Sequence, residues 1–180
     1  MRLPIRRVVT GHNENGRSCF ASDSDAPHVF QRHAGSTIVT EIWKTTSTPA
    51  VNSSTTEPTA PPYRLIPPQG GSVFRIISYP PDSIRLASLH DERAGLADGD
   101  SGRSAALDRN NPRHPGFHRT NSVDYAIVLS GEIHALMDEG ETLLRQGDVL
   151  IQRGTNHAWS NRTEQPAVLA FVLIDAEPVE

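Results

Sequence analysis

The chain has a single cysteine in 180 residues, Cys19, so no internal disulfide is available and a reducing compartment is the natural expectation. It has no run approaching the ~20 apolar residues that a membrane-spanning helix needs. The first residues, MRLPIRRVVTG, are basic but lead into no apolar stretch. No signal peptide is therefore expected, and cytoplasm is the expected setting. Positive charge is not in excess either. The formal net charge is −4, which argues against a nucleic-acid partner. A glycine-rich phosphate cradle, an internal repeat and a helical pattern long enough for a helix-turn-helix are all missing.

What is present is turn chemistry. The 13 glycines and 14 prolines, with 36% hydrophobic and 21% charged residues, describe a soluble globular chain that is β-rich with generous loops. The length suits one domain, residues 1–180, with a substantial core. Residues 4–10 (PIRRVVT) read as a first strand closed by the polar turn at residues 12–16. Residues 11–35 are mixed. Residues 36–45 (STIVTEIWKT) are rich in β-branched side chains and read as a strand, with Ile38, Thr40 and Ile42 on one parity and Val39, Glu41 and Trp43 on the other. Residues 46–71 are dominated by Ser, Thr and Pro and read as a long surface loop of polyproline character, with Tyr63, Leu65 and Ile66 as its anchors. Residues 72–79 form another strand stopped by Pro80 and Pro81, and residues 84–89 read as one more. Residues 91–113 are polar and glycine-rich, a passive loop or a lid with at most a short helical turn at 104–107.

Residues 113–162 are organised differently. Short apolar runs are cut by turns at Gly131, Gly140, Gly147 and Gly154, which stand 9, 7 and 7 residues apart. That spacing is too close for βαβ units and points to an antiparallel barrel or sandwich. Strands are expected at residues 124–129, 132–137, 142–145, 148–152, 157–161 and 167–174. His118, Thr120 and Asp124 share one parity, and an extended chain places them on one face. His157, Trp159 and Asn161 share a parity on another strand. If these faces meet inside the barrel, His118, Asp124 and His157 make a two-histidine, one-carboxylate set. Such a set suits Fe(II), with Mn, Ni or Zn as alternatives, and leaves positions open for substrate. Each of these residues also has a plain structural reading: a histidine hydrogen-bonded within a strand, an aspartate paired with Arg119 or a turn, a tryptophan packed in a core.

The same residues resemble the cupin family of small double-stranded β-helix (jelly-roll) proteins. Its first motif runs G, five residues, H-x-H, three or four residues, E, six residues, G. Here His118 falls on the first histidine, Thr120 on the second, Asp124 on the glutamate and Gly131 on the closing glycine. Its second motif runs G, five residues, P-x-G, two residues, H, three residues, N. Gly147, Gly154, His157 and Asn161 take those roles, with the glycine interval one residue short and the proline absent. The motifs place a cupin core at residues 113–175, to which residues 1–112 add strands and loops.

The resemblance implies an all-β jelly roll, commonly a homodimer, with a divalent metal on His118, Asp124 and His157. It implies a metal-dependent enzyme acting on a small organic or aromatic acid, as a dioxygenase, decarboxylase or isomerase. His114, Arg119, Thr120, Arg153 and Trp159 are the candidates around the substrate, Arg153 as a carboxylate partner and His114 at the pocket mouth. The replacement of the second motif histidine by Thr120 keeps a second reading open: a cupin that binds a small ligand without turning it over.

Overall fold

Side chains alternate between buried and wet along most of the apolar runs, as a pleated strand requires, and the computed structural model arranges those runs as an all-β double-stranded β-helix. It describes residues 4–54, 56–87, 108 and 111–179. Among these the strands in chain order are β1 (Arg6–His12), β2 (Ser18–Asp25), β3 (His28–Gln31), β4 (Ile38–Thr45), β5 (Ser72–Tyr79) and β6 (Ser122–Ser130). They continue as β7 (Glu132–Met137), β8 (Glu141–Arg145), β9 (Val149–Arg153), β10 (His157–Ser160) and β11 (Ala167–Asp175). The large sheet runs β3-β4-β5-β11-β6-β9, the smaller one β10-β7-β8, and β1 pairs with β2 in a separate ribbon. No helix among the described residues is long and apolar enough to cross a membrane.

The main core lies between the two larger sheets. Val73 and Tyr79 of β5, Ala126 and Val128 of β6 and Leu169, Phe171 and Leu173 of β11 pack against Ile133, Ala135, Leu144 and Trp159. The opposite face of the large sheet carries Ile76, Val168 and Ala170, with Ile5 and Ile42 packed against that cluster. Gly131 makes the tight β6–β7 turn at φ +76°, and a Cβ there would stand 3.0 Å from the Pro166 carbonyl oxygen. Glycine suits both demands.

Two expectations change. Residues 11–35, read as mixed, contain all of β1's partner β2 and all of β3. The β2 sequence SCFASDSD is exposed almost throughout, so no buried face gives it an apolar period. Residues 84–89 were expected to be a strand, but residues 82–87 are helical, and 88 and 89 lie outside the described residues. The Pro81 carbonyl accepts from the Ile84 and Arg85 amides, and Asp82 and Ser83 occupy the first turn, where such residues favour a helix start. The lid reading of residues 91–113 and the turn at 104–107 lie outside the described residues, apart from 108 and 111–113.

The Ser, Thr and Pro-rich segment at 46–71 contains no strand or helix among its described residues, and it is tied down. Arg75 Nη1 donates to the Tyr63 hydroxyl at 3.1 Å and the Leu65 carbonyl at 3.3 Å, and Nη2 donates to the Arg64 carbonyl at 2.9 Å. Tyr63 stacks on Phe30 with ring centroids 5.1 Å apart. Farther along, Arg7 grips the Glu57 carboxylate with both terminal nitrogens, at 3.0 and 2.6 Å.

Candidate functional site

Strand alternation aims Ser122, Asp124, Ala126 and Val128 of β6 inward, while Tyr125 faces out. Thr120, just before the strand, is buried on the same parity. His118 and His157 form an isolated antiparallel bridge, each amide donating to the other's carbonyl at 2.9 Å. Their rings lie 4.3 Å apart between centroids. His118 Nδ1 is 2.9 Å from the Gly116 carbonyl and His157 Nδ1 is 3.0 Å from the Thr155 carbonyl. A carbonyl oxygen only accepts, so each Nδ1 carries the proton and each lone pair sits on Nε2. This is the arrangement that orients histidine ligands toward a metal. Burial first, and the neighbouring His118 ring second, push His157 down to about 3, so its ring is neutral at ordinary pH.

Asp124 stands farther along β6. Burial pushes its carboxyl up to about 6, against the pull of the Ser122 hydroxyl and the Arg75 charge. Its Oδ1 has no hydrogen-bond partner. Thr120 Oγ1 accepts from Ser122 Oγ at 2.8 Å. Among the described residues, no group of three or more His, Cys, Asp or Glu gathers in a metal-holding cluster. The fold thus unites His118 and His157 but does not bring Asp124 into a ready-made triad with them. In kind the donors fit a divalent ion: two oriented imidazoles, with a buried carboxylate oxygen that lacks a partner.

The remaining sequence candidates divide sharply. Arg119 and Arg153 are exposed, on the parity opposite to Thr120, Asp124 and Gln152, so neither lines the interior and the expected carboxylate clamp is not formed there. Trp159 is packed in the main core against Phe171, edge-on at 5.4 Å, and stands edge-on to His157 at 6.0 Å. His114 is buried, not at a pocket mouth. Its Nδ1 accepts from the Gly116 amide at 3.0 Å, which leaves its proton on Nε2, 3.7 Å from Asp82 Oδ2. Asp82 also accepts from Ser160 Oγ at 2.6 Å and Arg85 Nη2 at 2.9 Å. Burial alone would raise Asp82, but His114, Ser160 and Arg85 together hold it well below the usual carboxylate range. This network fastens the 82–87 helix to β10, the strand that presents His157.

Sequence reasoning missed three interior polar residues: Glu41, Arg75 and Gln152. All three are buried on inward positions of β4, β5 and β9. The signal available was a charged or amide side chain inside an otherwise apolar strand, as in SVFRIISY and VLIQR. Gln152 lies directly opposite Asp124 in the β6–β9 register, and Glu41 directly opposite Arg75 in the β4–β5 register. Gln152 Nε2 donates to the Thr155 carbonyl at 3.2 Å, the same oxygen that receives His157 Nδ1.

Comparison with known proteins agrees with this architecture. The family model described as "Cupin domain" matches residues 109–174. The chain is 30% identical over 189 residues to Phomopsin biosynthesis cluster protein D of Diaporthe leptostromiformis, covering 100% of this chain and 82% of that protein. It is 29% identical over 182 residues to the cupin-domain-containing oxidoreductase virC of Hypocrea virens, covering 96% of this chain and 77% of that one. A shorter match, 43% over 72 residues, links it to Oryzines biosynthesis cluster protein J of Aspergillus oryzae, covering 37% of this chain and 40% of that protein. With the bridged histidines, the motif spacing and these relatives in hand, the chain belongs to the cupin family.

Proposed function

We propose that this cupin is a metal-dependent oxidoreductase that acts on a small organic molecule inside the barrel. The observation that carries the reading is the His118–His157 bridge, with both Nδ1 atoms held by backbone carbonyls. His118 and His157 would hold a divalent ion, Fe, Mn, Ni or Zn, and the buried Asp124 carboxylate would complete the set. When bound, such an ion supplies Lewis-acid or redox chemistry at positions left open to substrate. The chain's own contribution is orientation and dryness. The Gly116 and Thr155 carbonyls fix the two ring tautomers, and the Trp159 and Phe171 rings close the apolar wall behind His157. The oxidoreductase relative of Hypocrea virens supports an oxidative reaction over a decarboxylation or an isomerisation. An acidic substrate is not carried into the proposal, because Arg153, the residue expected to hold its carboxylate, faces solvent.

The proposal includes a homodimer in the cytoplasm. Tyr125, Val149 and Ile151 form an exposed apolar strip on the outward face of β6 and β9, which supports self-association. Thr120, where the family has an imidazole, favours the second reading, a cupin that binds its ligand without turning it over. Elemental analysis of protein purified without an affinity tag separates the two. Near-stoichiometric metal that is lost in His157→Ala is the expected result, and metal-free protein that still binds a small ligand gives the function to the binder.

A further inference from the structure

Four polar side chains on the inward face of the large sheet are sealed from water: Glu41 (4% exposed), Arg75 (1%), Asp124 (5%) and Gln152 (2%). Each keeps an atom without a hydrogen-bond partner: Glu41 Oε1 and Oε2, Arg75 Nε, Asp124 Oδ1 and Gln152 Oε1. Buried polar groups are rarely left in this state, and the exceptions call for an explanation. Here the orphans have a sign. Four are acceptor oxygens and only one is a donor.

The donors of the interior are already engaged, Arg75 Nε excepted. Arg75 directs Nη1 to Tyr63 and Leu65 and Nη2 to Arg64, with Glu41 Oε1 3.1 Å from Nη2. Gln152 turns its amide nitrogen to the Thr155 turn. Its carbonyl oxygen is what remains, directly across the β6–β9 register from the orphan oxygen of Asp124. Opposed residues on paired strands have Cβ atoms ~5 Å apart, close enough for one small group to reach both side chains. Two carboxylates against one guanidinium leave the interior of the metal-free chain formally negative. A carboxylate ligand would meet like charge and bare acceptors there, whereas a hydroxyl or ammonium would satisfy them.

We propose that the barrel interior recognises a neutral or cationic small molecule by its hydrogen-bond donors, a hydroxyl or N–H presented to Gln152 Oε1 alongside the Asp124 carboxylate, and discriminates against organic anions. The inference deepens the oxidoreductase reading by naming its substrate class, and it rests on that reading only for turnover. Gln152 is the specificity-determining residue. It supplies one acceptor, and through the Thr155 carbonyl it also holds the turn that orients His157.

The test uses the full-length chain after chelation with EDTA, so that a metal-bound carboxylate cannot imitate the site. Benzyl alcohol, benzylamine and benzoate share one ring and differ in the polar head, and their binding is measured by calorimetry and ligand-observed NMR. Benzyl alcohol and benzylamine are expected to bind at least tenfold tighter than benzoate. Gln152→Leu is expected to weaken benzyl alcohol about tenfold with the melting temperature held. Should that variant fail to fold, Gln152→Glu decides, since a second carboxylate beside Asp124 is expected to tighten benzylamine severalfold over benzyl alcohol. Benzoate binding as well as the other two overturns the proposal, as does binding by none of the three or indifference to both Gln152 variants. Metal content plays no part in this readout, so a failure here and a failure of the oxidoreductase reading are told apart.

Discussion

Arg75 and Glu41 face each other in register across β5 and β4, Nη2 to Oε1 at 3.1 Å, with both side chains nearly closed off from solvent. The pair is lopsided. Arg75 has Tyr63 and two loop carbonyls besides, while neither Glu41 oxygen has a hydrogen-bond partner. Burial pushes the Glu41 carboxyl up, and the charges of Arg75, Lys44 and His28 offset that only in part.

Removing the better-connected partner is therefore expected to do the damage. Arg75→Met leaves a buried carboxylate unpaired and frees the loop at Tyr63–Leu65, and should cost about 3–5 kcal/mol. Glu41→Gln should cost about 1 kcal/mol or less, because Arg75 keeps its loop partners. The sign of the pH effect follows from the raised carboxyl. A group whose folded pKa lies above its unfolded value stabilises most when protonated, and that stability is lost as pH rises through the folded value. Glu41→Gln should therefore gain on the parent as pH rises from about 4 toward 7. Urea denaturation across that range checks the sign, and trypsin cleavage at Arg64, faster in Arg75→Met, checks the loop.

Asn161 tests whether a motif residue serves the fold or the chemistry. Its Nδ2 donates to the Tyr79 carbonyl at 2.9 Å and the Gln165 carbonyl at 2.8 Å. Its Oδ1 accepts from the Thr163 amide at 3.0 Å and the Thr163 hydroxyl at 2.8 Å. A single buried amide thus ties the end of β5 to the β10–β11 turn. Asn161→Ala strands several of these groups and should cost about 2–4 kcal/mol. Metal content per folded molecule should not change. A loss of metal without a loss of stability would move Asn161 from the scaffold to the site.

How much of this was legible in the sequence depends on what sets each feature. The strands from β6 to β11 were readable because inward and outward side chains alternate between closely spaced glycine turns. The pairing of His118 with His157 was readable from parity and motif spacing together. Glu41, Arg75 and Gln152 were not, since a lone polar residue in an apolar strand becomes interior only once the sheet closes and a loop seals its end. Arg119 and Arg153 erred in the other direction. Their charge suggested a ligand, but each lies one residue away from an inward position, and a single step along a strand reverses the face. The helix over 82–87 escaped because Ile84 and Leu86 share one strand parity, while Pro80 and Pro81 read as a strand stop and mask the helix start at Asp82 and Ser83.

Thr120 offers the most direct check on the metal proposal. It is buried, shares the inward parity of Asp124, and follows His118 by two positions on the segment bridged to His157. Its present tie is the hydrogen bond from Ser122. Thr120→His adds an imidazole where the family motif has one, next to two rings already oriented by the Gly116 and Thr155 carbonyls. A third nitrogen ligand should raise affinity for added Zn or Ni by at least tenfold, about 1.4 kcal/mol. His157→Ala should abolish tight binding in the parent and the variant alike. A supporting residue would lose only about 10–100-fold when removed, so the size of the His157→Ala effect separates ligand from support. Melting temperatures guard against a trivial result, because the larger ring must fit beside packed side chains and overpacking costs ~1–3 kcal/mol on its own. A well-folded Thr120→His protein that binds metal no better than its parent, alongside a His157→Ala protein that keeps its metal, places the ion away from the bridged histidines. The polar interior then stands as a ligand site without metal chemistry.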